Sequence, residues 1–234
     1  FYAAAENRQP YADRLADFLH RQVTDSEPGS DHQLAFLRGL ISVASGEHLD
    51  FLAGLLDGSV SVEGLSVDTD LRWGLLKRLV ATGRADVAAI DTELQRDDTA
   101  AGRLHAASAR AAVPTAEAKA AAWTSVLTDV SLPNHMLTAI IGGITIPEQR
   151  ELSRPHVAQY FAALPEVWKT RTNEIAQEIT LGLYPASLVE NTTVEATDAV
   201  LDGVVDIPHG ARRLLAEGRD GVLRGLRCQQ RDGA

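Results

Sequence analysis

Apolar residues along this chain recur three and four positions apart, the spacing that lays side chains on one face of an α-helix. Leu34, Leu37, Leu40, Ile41 and Ala44 give one such stripe. Leu49, Leu52, Leu55 and Leu56 repeat it after the break at Ser45-Gly46. Asp57-Gly58 then closes that helix, because glycine takes the left-handed C-terminal conformation without penalty. Leu15, Phe18, Leu19 and Gln22 predict the face of a first helix, with Pro10 and Tyr11 at its start. Over 58–67, Val60, Val62, Leu65 and Val67 alternate weakly, but no partner run is visible, so this stretch reads as a loop. Asp68 follows as an N-cap, with Asp70 adding favourable negative charge in the first turn. Leu71, Leu75, Leu76 and Leu79 supply the buried stripe of that helix, and Gly83 stops it. Further helices are predicted over 87–94, from a cap at Asp98 or Thr99 to Ala112, over 119–127, and from Pro133-Asn134 and Pro147. Longer ones follow over 157–164, 167–181 and 188–204, separated by Pro165 and by Tyr184-Pro185. Asp206-Ile-Pro208 introduces the closing stretch, where Leu214, Leu215, Val222, Leu223 and Leu226 keep helical spacing despite Gly218 and Gly221.

Roughly a dozen helices with short connections predict an all-α fold built from helix-turn-helix pairs, the unit of an α-solenoid. Exact sequence repetition is absent, so the expectation is a HEAT-like α-α superhelix, a right-handed array of diverged helical hairpins. No linker rich in Pro, Gly or Ser exceeds a few residues, and residues 1–234 read as a single helical-repeat domain. Composition agrees. Aromatics are only 5% while hydrophobic residues reach 45%, carried by Ala and Leu, which favours closely packed helices over a sheet.

The formal net charge of −10 argues against nucleic acid, since phosphate binding needs clustered Lys and Arg. The basic run from Arg212 to Arg231 is interrupted by Glu217 and Asp220, and reads as helix ends and ion pairs. Cys228 is alone, so no internal disulfide forms and a reducing, cytoplasmic setting is expected. No apolar run approaches the roughly 20 residues that span a bilayer, and no signal peptide is apparent. The first residue is Phe1, not Met, which suggests a piece of a longer protein.

Several phrases arrive in one order: Asp68-Thr-Asp-Leu-Arg-Trp-Gly-Leu-Leu-Lys-Arg-Leu, Asp98-Thr99-Ala-Ala-Gly102, Val113-Pro114, Lys119-Ala-Ala-Ala-Trp123, Gly-Leu-Tyr184-Pro185, and Arg212-Arg-Leu-Leu-Ala-Glu217-Gly-Arg-Asp220. From about Tyr11 to Asp232 the chain resembles the C-terminal helical domain of zinc aminopeptidases of the aminopeptidase N family, in its bacterial, puromycin-sensitive-like branch. That resemblance implies a parent enzyme that removes amino-terminal residues from peptides, with zinc held in a catalytic domain outside this chain. It further implies that the helical domain closes over the catalytic domain and that its concave face touches peptide. The expected partners are therefore the catalytic domain of the same parent chain and peptide substrate. Two departures stand out: His156 occupies the place of a Tyr in the family's Pro-Tyr-x-x-x-Tyr-Phe phrase, and Gly142-Gly143-Ile replaces a more usual Gly-Phe.

The family's zinc motif, His-Glu-x-x-His, puts two imidazoles on one helical face with a water-activating Glu between them. None of His20, His32, His48, His105, His135, His156 and His209 is followed by Glu, and no two lie within five residues. The Gly-Ala-Met-Glu-Asn motif that captures a substrate's amino terminus is absent as well, as is a Gly-x-Ser-x-Gly elbow. No catalytic, cofactor-binding or metal residue is assigned. Asp97-Asp98 and Asp68/Asp70 read as caps and first-turn charges. Trp73, Trp123 and Trp168 read as core or inter-helix residues. Arg72, a cation in the first turn of a helix, opposes the helix dipole and is expected to pair with a carboxylate, with Asp68, Asp70 or Asp98 nearest. Its functional reading is a residue lining a peptide channel. Against the aminopeptidase reading stands a free-standing helical-repeat scaffold that binds a protein or peptide in its concave groove.

Overall fold

A computed structural model describes residues 1–204 and 206–234, and every regular element among them is helical. The fold is all-α, as the spacing predicts. Backbone contacts divide the chain into two compact units, residues 6–113 and residues 1–5 with 114–234.

The first unit carries α1 (Ala5–Asp25), α2 (Asp31–Val43), α3 (Glu47–Asp57), α4 (Thr69–Ala81), α5 (Val87–Arg96) and α6 (Ala100–Ala111). Side-chain caps start four of them: Ser30, Asp68, Asp86 and Thr99 accept from the backbone N–H three residues on. Gly58 and Gly83 stand in the left-handed region at the ends of α3 and α4, where the sequence places them. Helix α4 lies at the centre, packed against α2, α3, α5 and α6. Its Leu71, Leu75, Leu76 and Leu79 are all buried. Leu71, Leu75 and Leu79 join Leu37, Leu40, Leu49, Leu52 and Leu55 in one cluster. Trp73, Leu76 and Val80 face Ile90, Ala106 and Ala109 in a second, so α4 feeds two cores from opposite sides. Residues 58–67 form the expected loop, and its Val60, Val62, Leu65 and Val67 pack onto the first cluster. The loop is held by Gln33, whose Nε2 donates to the Val23 and Glu63 carbonyls, both at 3.1 Å.

Helix α1 differs from its reading in two ways. It begins five residues before Pro10, which forfeits one backbone hydrogen bond without ending the helix. Its inward residues are Ala16, Leu19 and Val23, while Tyr11, Leu15 and Phe18 stay about half exposed along another face. The helix is apolar on two sides, and counting large side chains selects the outer one.

The second unit contains α7 (Ala116–Thr128), α8 (Asn134–Ile144), α9 (Arg150–Ser153), α10 (Val157–Thr170), α11 (Asn173–Gly182), α12 (Asn191–Ala199) and α13 (His209–Asp232). Helix α10 runs through Pro165, because Phe161, Leu164 and Val167 are buried on both sides of the proline and packing holds the helix together. The boundary falls instead at Arg171, and Thr172 caps α11. The helix predicted over 188–204 starts only at Asn191 and widens into a π-turn, Val200–Val204, with Gly203 at φ 99°. The interior of this unit is aromatic: Tyr160, Phe161 and Tyr184 meet edge to face. Tyr184 lies against Gly218 of α13, where a β-carbon would come within 2.8 Å of its ring. Residues 1–5 reach the end of α13: the Ala4 N–H donates to Asp232 at 2.7 Å, and Gln229 Nε2 donates to the Phe1 carbonyl at 2.6 Å.

Candidate functional site

Two polar constellations form in the first unit. One surrounds Arg72, whose Nε and Nη2 donate to the two carboxylate oxygens of Glu93, each at 2.7 Å, while Nη1 donates to the Leu56 carbonyl at 2.8 Å. Side-chain exposure is 18% for Arg72 and 7% for Glu93. The partner is thus not Asp68, Asp70 or Asp98. Asp68 is committed to its cap, Asp70 lies 3.6 Å from His105, and Asp98 pairs with Arg103 at 2.5 Å. Glu93 comes from α5, 21 residues along the chain and beyond the reach of local counting. Its hydrogen bonds to the Glu93 carboxylate hold the Arg72 guanidinium above its usual range, against the opposing effect of burial. Next door, the Trp73 indole donates to Asp97 at 2.9 Å, and His105 stacks on the Trp73 ring. The Trp73 and Thr99 hydrogen bonds lower the Asp97 carboxyl below the ordinary aspartate range. Each nitrogen of Arg72 makes a hydrogen bond within the fold, so this constellation clamps α3, α4 and α5 together.

The second constellation was not legible as a unit in the sequence. Asp13, Asp17 and His20 share one face of α1, turned toward the start of α3. Ser45 donates to Asp13 at 2.9 Å. His48, 7% exposed, places Nε2 3.0 Å from Asp17 Oδ1 and Nδ1 3.0 Å from Nδ1 of His20. The His20 ring lies over Phe51, centroids 4.1 Å apart. Burial, then the neighbouring His48, lowers the His20 pKa, partly offset by Glu47 and Asp17. Asp17, Glu47 and His48 each offer one ligand atom, all within 4.8 Å of one another. The sequence signal for it was faint: a histidine three residues after an aspartate, and a Glu-His pair at a helix start.

In the second unit, Trp123 is buried and stacks on His156, so the histidine that departs from the family phrase keeps an aromatic contact at that position. Trp168 is half-buried and donates to Thr180 at 2.9 Å, joining α10 to α11. Lys119 is fully buried and its Nζ donates to the Gly143 carbonyl at 2.9 Å. Three arginines of the basic run of α13 form ion pairs, Arg213 with Glu217, Arg224 with Asp220 and Arg219 with Asp198, and Arg212 donates to the Leu201 carbonyl at 2.7 Å. Among the described residues, no helix is long and apolar enough to cross a membrane.

Comparison with known proteins gives this helical chain a family. Residues 1–224 match the family model described as the ERAP1-like C-terminal domain. Over its whole length the chain is 46% identical to an Aminopeptidase N from Streptomyces lividans, and it spans 27% of that relative's length. This chain belongs to the ERAP1-like C-terminal domain family.

Proposed function

We propose that this chain is the non-catalytic C-terminal helical domain of a longer zinc aminopeptidase, that it covers the active-site chamber, and that it contributes to the binding and selection of peptides. The observation that carries this reading is the match to an aminopeptidase N along the entire chain but over only 27% of the relative. The residues present do not fit the peptidase zinc. No His-Glu pair occurs, and the three-ligand group of Asp17, Glu47 and His48 lacks two imidazoles on one helical face with a Glu between them. Bond cleavage is therefore assigned to the catalytic domain of the parent, and this chain's residues act by packing and by shaping access.

The exposed face of α1 supports a covered surface. Tyr11, Leu15 and Phe18, with Arg14 and Arg21 beside them, line a shallow depression. Such an apolar strip with a charged rim suits an inter-domain contact with the rest of the parent, which ordinarily buries roughly 600–1,500 Å². The test compares the full-length parent with a form lacking residues 1–234, using an aminoacyl p-nitroanilide and a series of peptides of increasing length. The reading expects the short substrate to be cleaved by both forms and the length profile to change in the truncated one. Equal stability and identical length profiles would overturn it. The 234-residue chain alone is expected to hydrolyse neither substrate, with or without added zinc, and chelator-sensitive turnover by the pure chain would refute that.

A further inference from the structure

We propose that Asp17, Glu47 and His48 form a binding site for a divalent transition-metal ion, with His20 as the positioning residue that orients His48. The geometry is close to what such an ion needs. In a tetrahedral site with bonds of about 2.0–2.1 Å, ligand atoms sit roughly 3.3 Å apart. Asp17 Oδ1 and His48 Nε2 are already 3.0 Å apart, and the Glu47 carboxylate lies within 4.8 Å of both. Asp17 and Glu47 are exposed, so their carboxylates turn inward without disturbing the core, and water fills the remaining position. One imidazole and two carboxylates make a borderline donor set, suited to Zn²⁺, Co²⁺ or Ni²⁺ more than to Ca²⁺ or Mg²⁺.

What distinguishes this group from an ordinary surface cluster is the layer behind it. A metal-bound histidine usually donates its other ring N–H to a fixed acceptor, which sets tautomer and ring orientation. His48 has that acceptor in Nδ1 of His20, at 3.0 Å. His20 is itself held over Phe51. Binding moves the His48 proton from Nε2, where it faces Asp17, to Nδ1, where it faces His20. His20 then carries its own proton on Nε2, and the pair changes tautomer with no net proton uptake. The local charge favours a cation. Asp13, Asp17 and Glu47 cluster here and outnumber the nearby cations Arg14 and Arg21, which line one depression with Asp17. The Ser45-to-Asp13 hydrogen bond on one side and the His20–Phe51 stack on the other tie α1 to the start of α3, so the backbone carrying the ligands is fixed before an ion arrives and only the carboxylates have to turn.

The test titrates the 234-residue chain with Zn²⁺ by calorimetry and with Co²⁺ by visible absorption. One saturable site per chain is expected, with a rise in melting temperature on adding Zn²⁺. Asp17→Asn with Glu47→Gln, both at exposed positions and so safe for folding, removes two of the three protein ligands and is expected to weaken binding by more than the roughly tenfold loss of an outer partner. His20→Phe keeps the stack on Phe51 but removes the acceptor and is expected to weaken binding by about tenfold, while His20→Asn, which returns an acceptor near Nδ1, restores most of it. Absence of a saturable 1:1 site overturns the proposal. So does a site unchanged in the Asp17→Asn/Glu47→Gln variant, which would place the ion on the remaining histidines.

Discussion

Removing Arg72 is the sharpest test of how the first unit is held. In Arg72→Met the aliphatic stem is kept and the guanidinium is lost, with its two hydrogen bonds to Glu93 and one to the Leu56 carbonyl. Hydrogen bonds to charged groups contribute about 1.5–3 kcal/mol each, but these three share one group and do not add. The larger effect is what remains: the Glu93 carboxylate, only 7% exposed, without its cation. Breaking a fully buried pair from one side costs about 3–5 kcal/mol. The 18% exposure of Arg72 lets water reach the vacated place, which puts the expected loss at the lower end, about 3 kcal/mol. Glu93→Leu should cost less, about 2 kcal/mol, because Arg72 keeps the Leu56 carbonyl and some solvent. The double variant should also cost only about 2 kcal/mol, giving a coupling of about 3 kcal/mol. Urea denaturation followed by circular dichroism reads these values from midpoints at unchanged slope. Additive single costs, or a loss under about 1 kcal/mol for Arg72→Met, would refute the view that this pair clamps α4 to α5.

Leu75→Ala, at a fully buried site in the middle of α4, is expected to cost about 2–5 kcal/mol in the same denaturation assay. Gly218→Ala should destabilise by about 1–3 kcal/mol, because its β-carbon meets the Tyr184 ring, whereas Gly221→Ala meets nothing within 4 Å and should stabilise by up to about 1 kcal/mol. A pH series checks Asp97: its lowered pKa gives stability that is present above the ordinary aspartate value, about 3.9, and lost as pH falls through the folded value. Asp97→Asn should therefore flatten the acid limb of the stability curve, and an unchanged limb would count against the Trp73 hydrogen bond as its cause.

Local signals in the sequence were strong wherever the backbone decides by itself. Asp68 as a cap, Gly58 and Gly83 as stops, the loop at 58–67 and the buried stripe of α4 all depend on residues within a turn or two. Prolines misled, because Pro10 and Pro165 were read as boundaries while packing carried α1 and α10 through them. Arg72 found its carboxylate on another helix, since Asp68 and Asp70 were already engaged by the cap and by His105. The His20–His48 contact joins residues 28 apart, and nothing in either helix's own pattern announces the other. Gly218 looked like a weak point in α13 and is a place where an aromatic ring needs the space.

The contact between residues 1–5 and the end of α13 makes the second unit discontinuous in sequence, with the whole of residues 6–113 inserted between its two parts. A ribosome therefore delivers every residue of the inserted unit before the surrounding one is complete, and that unit can fold while α13 is still unmade. Closing the outer unit joins residues 228 apart, a loop whose entropy would cost roughly 5 kcal/mol if it were all flexible. With the insert already folded, much of that loop is rigid before the ends meet. Order of synthesis thus becomes part of the folding route: a chain rearranged to start at Pro114, with its old ends joined by a short linker, should reach the same native state by a different sequence of events.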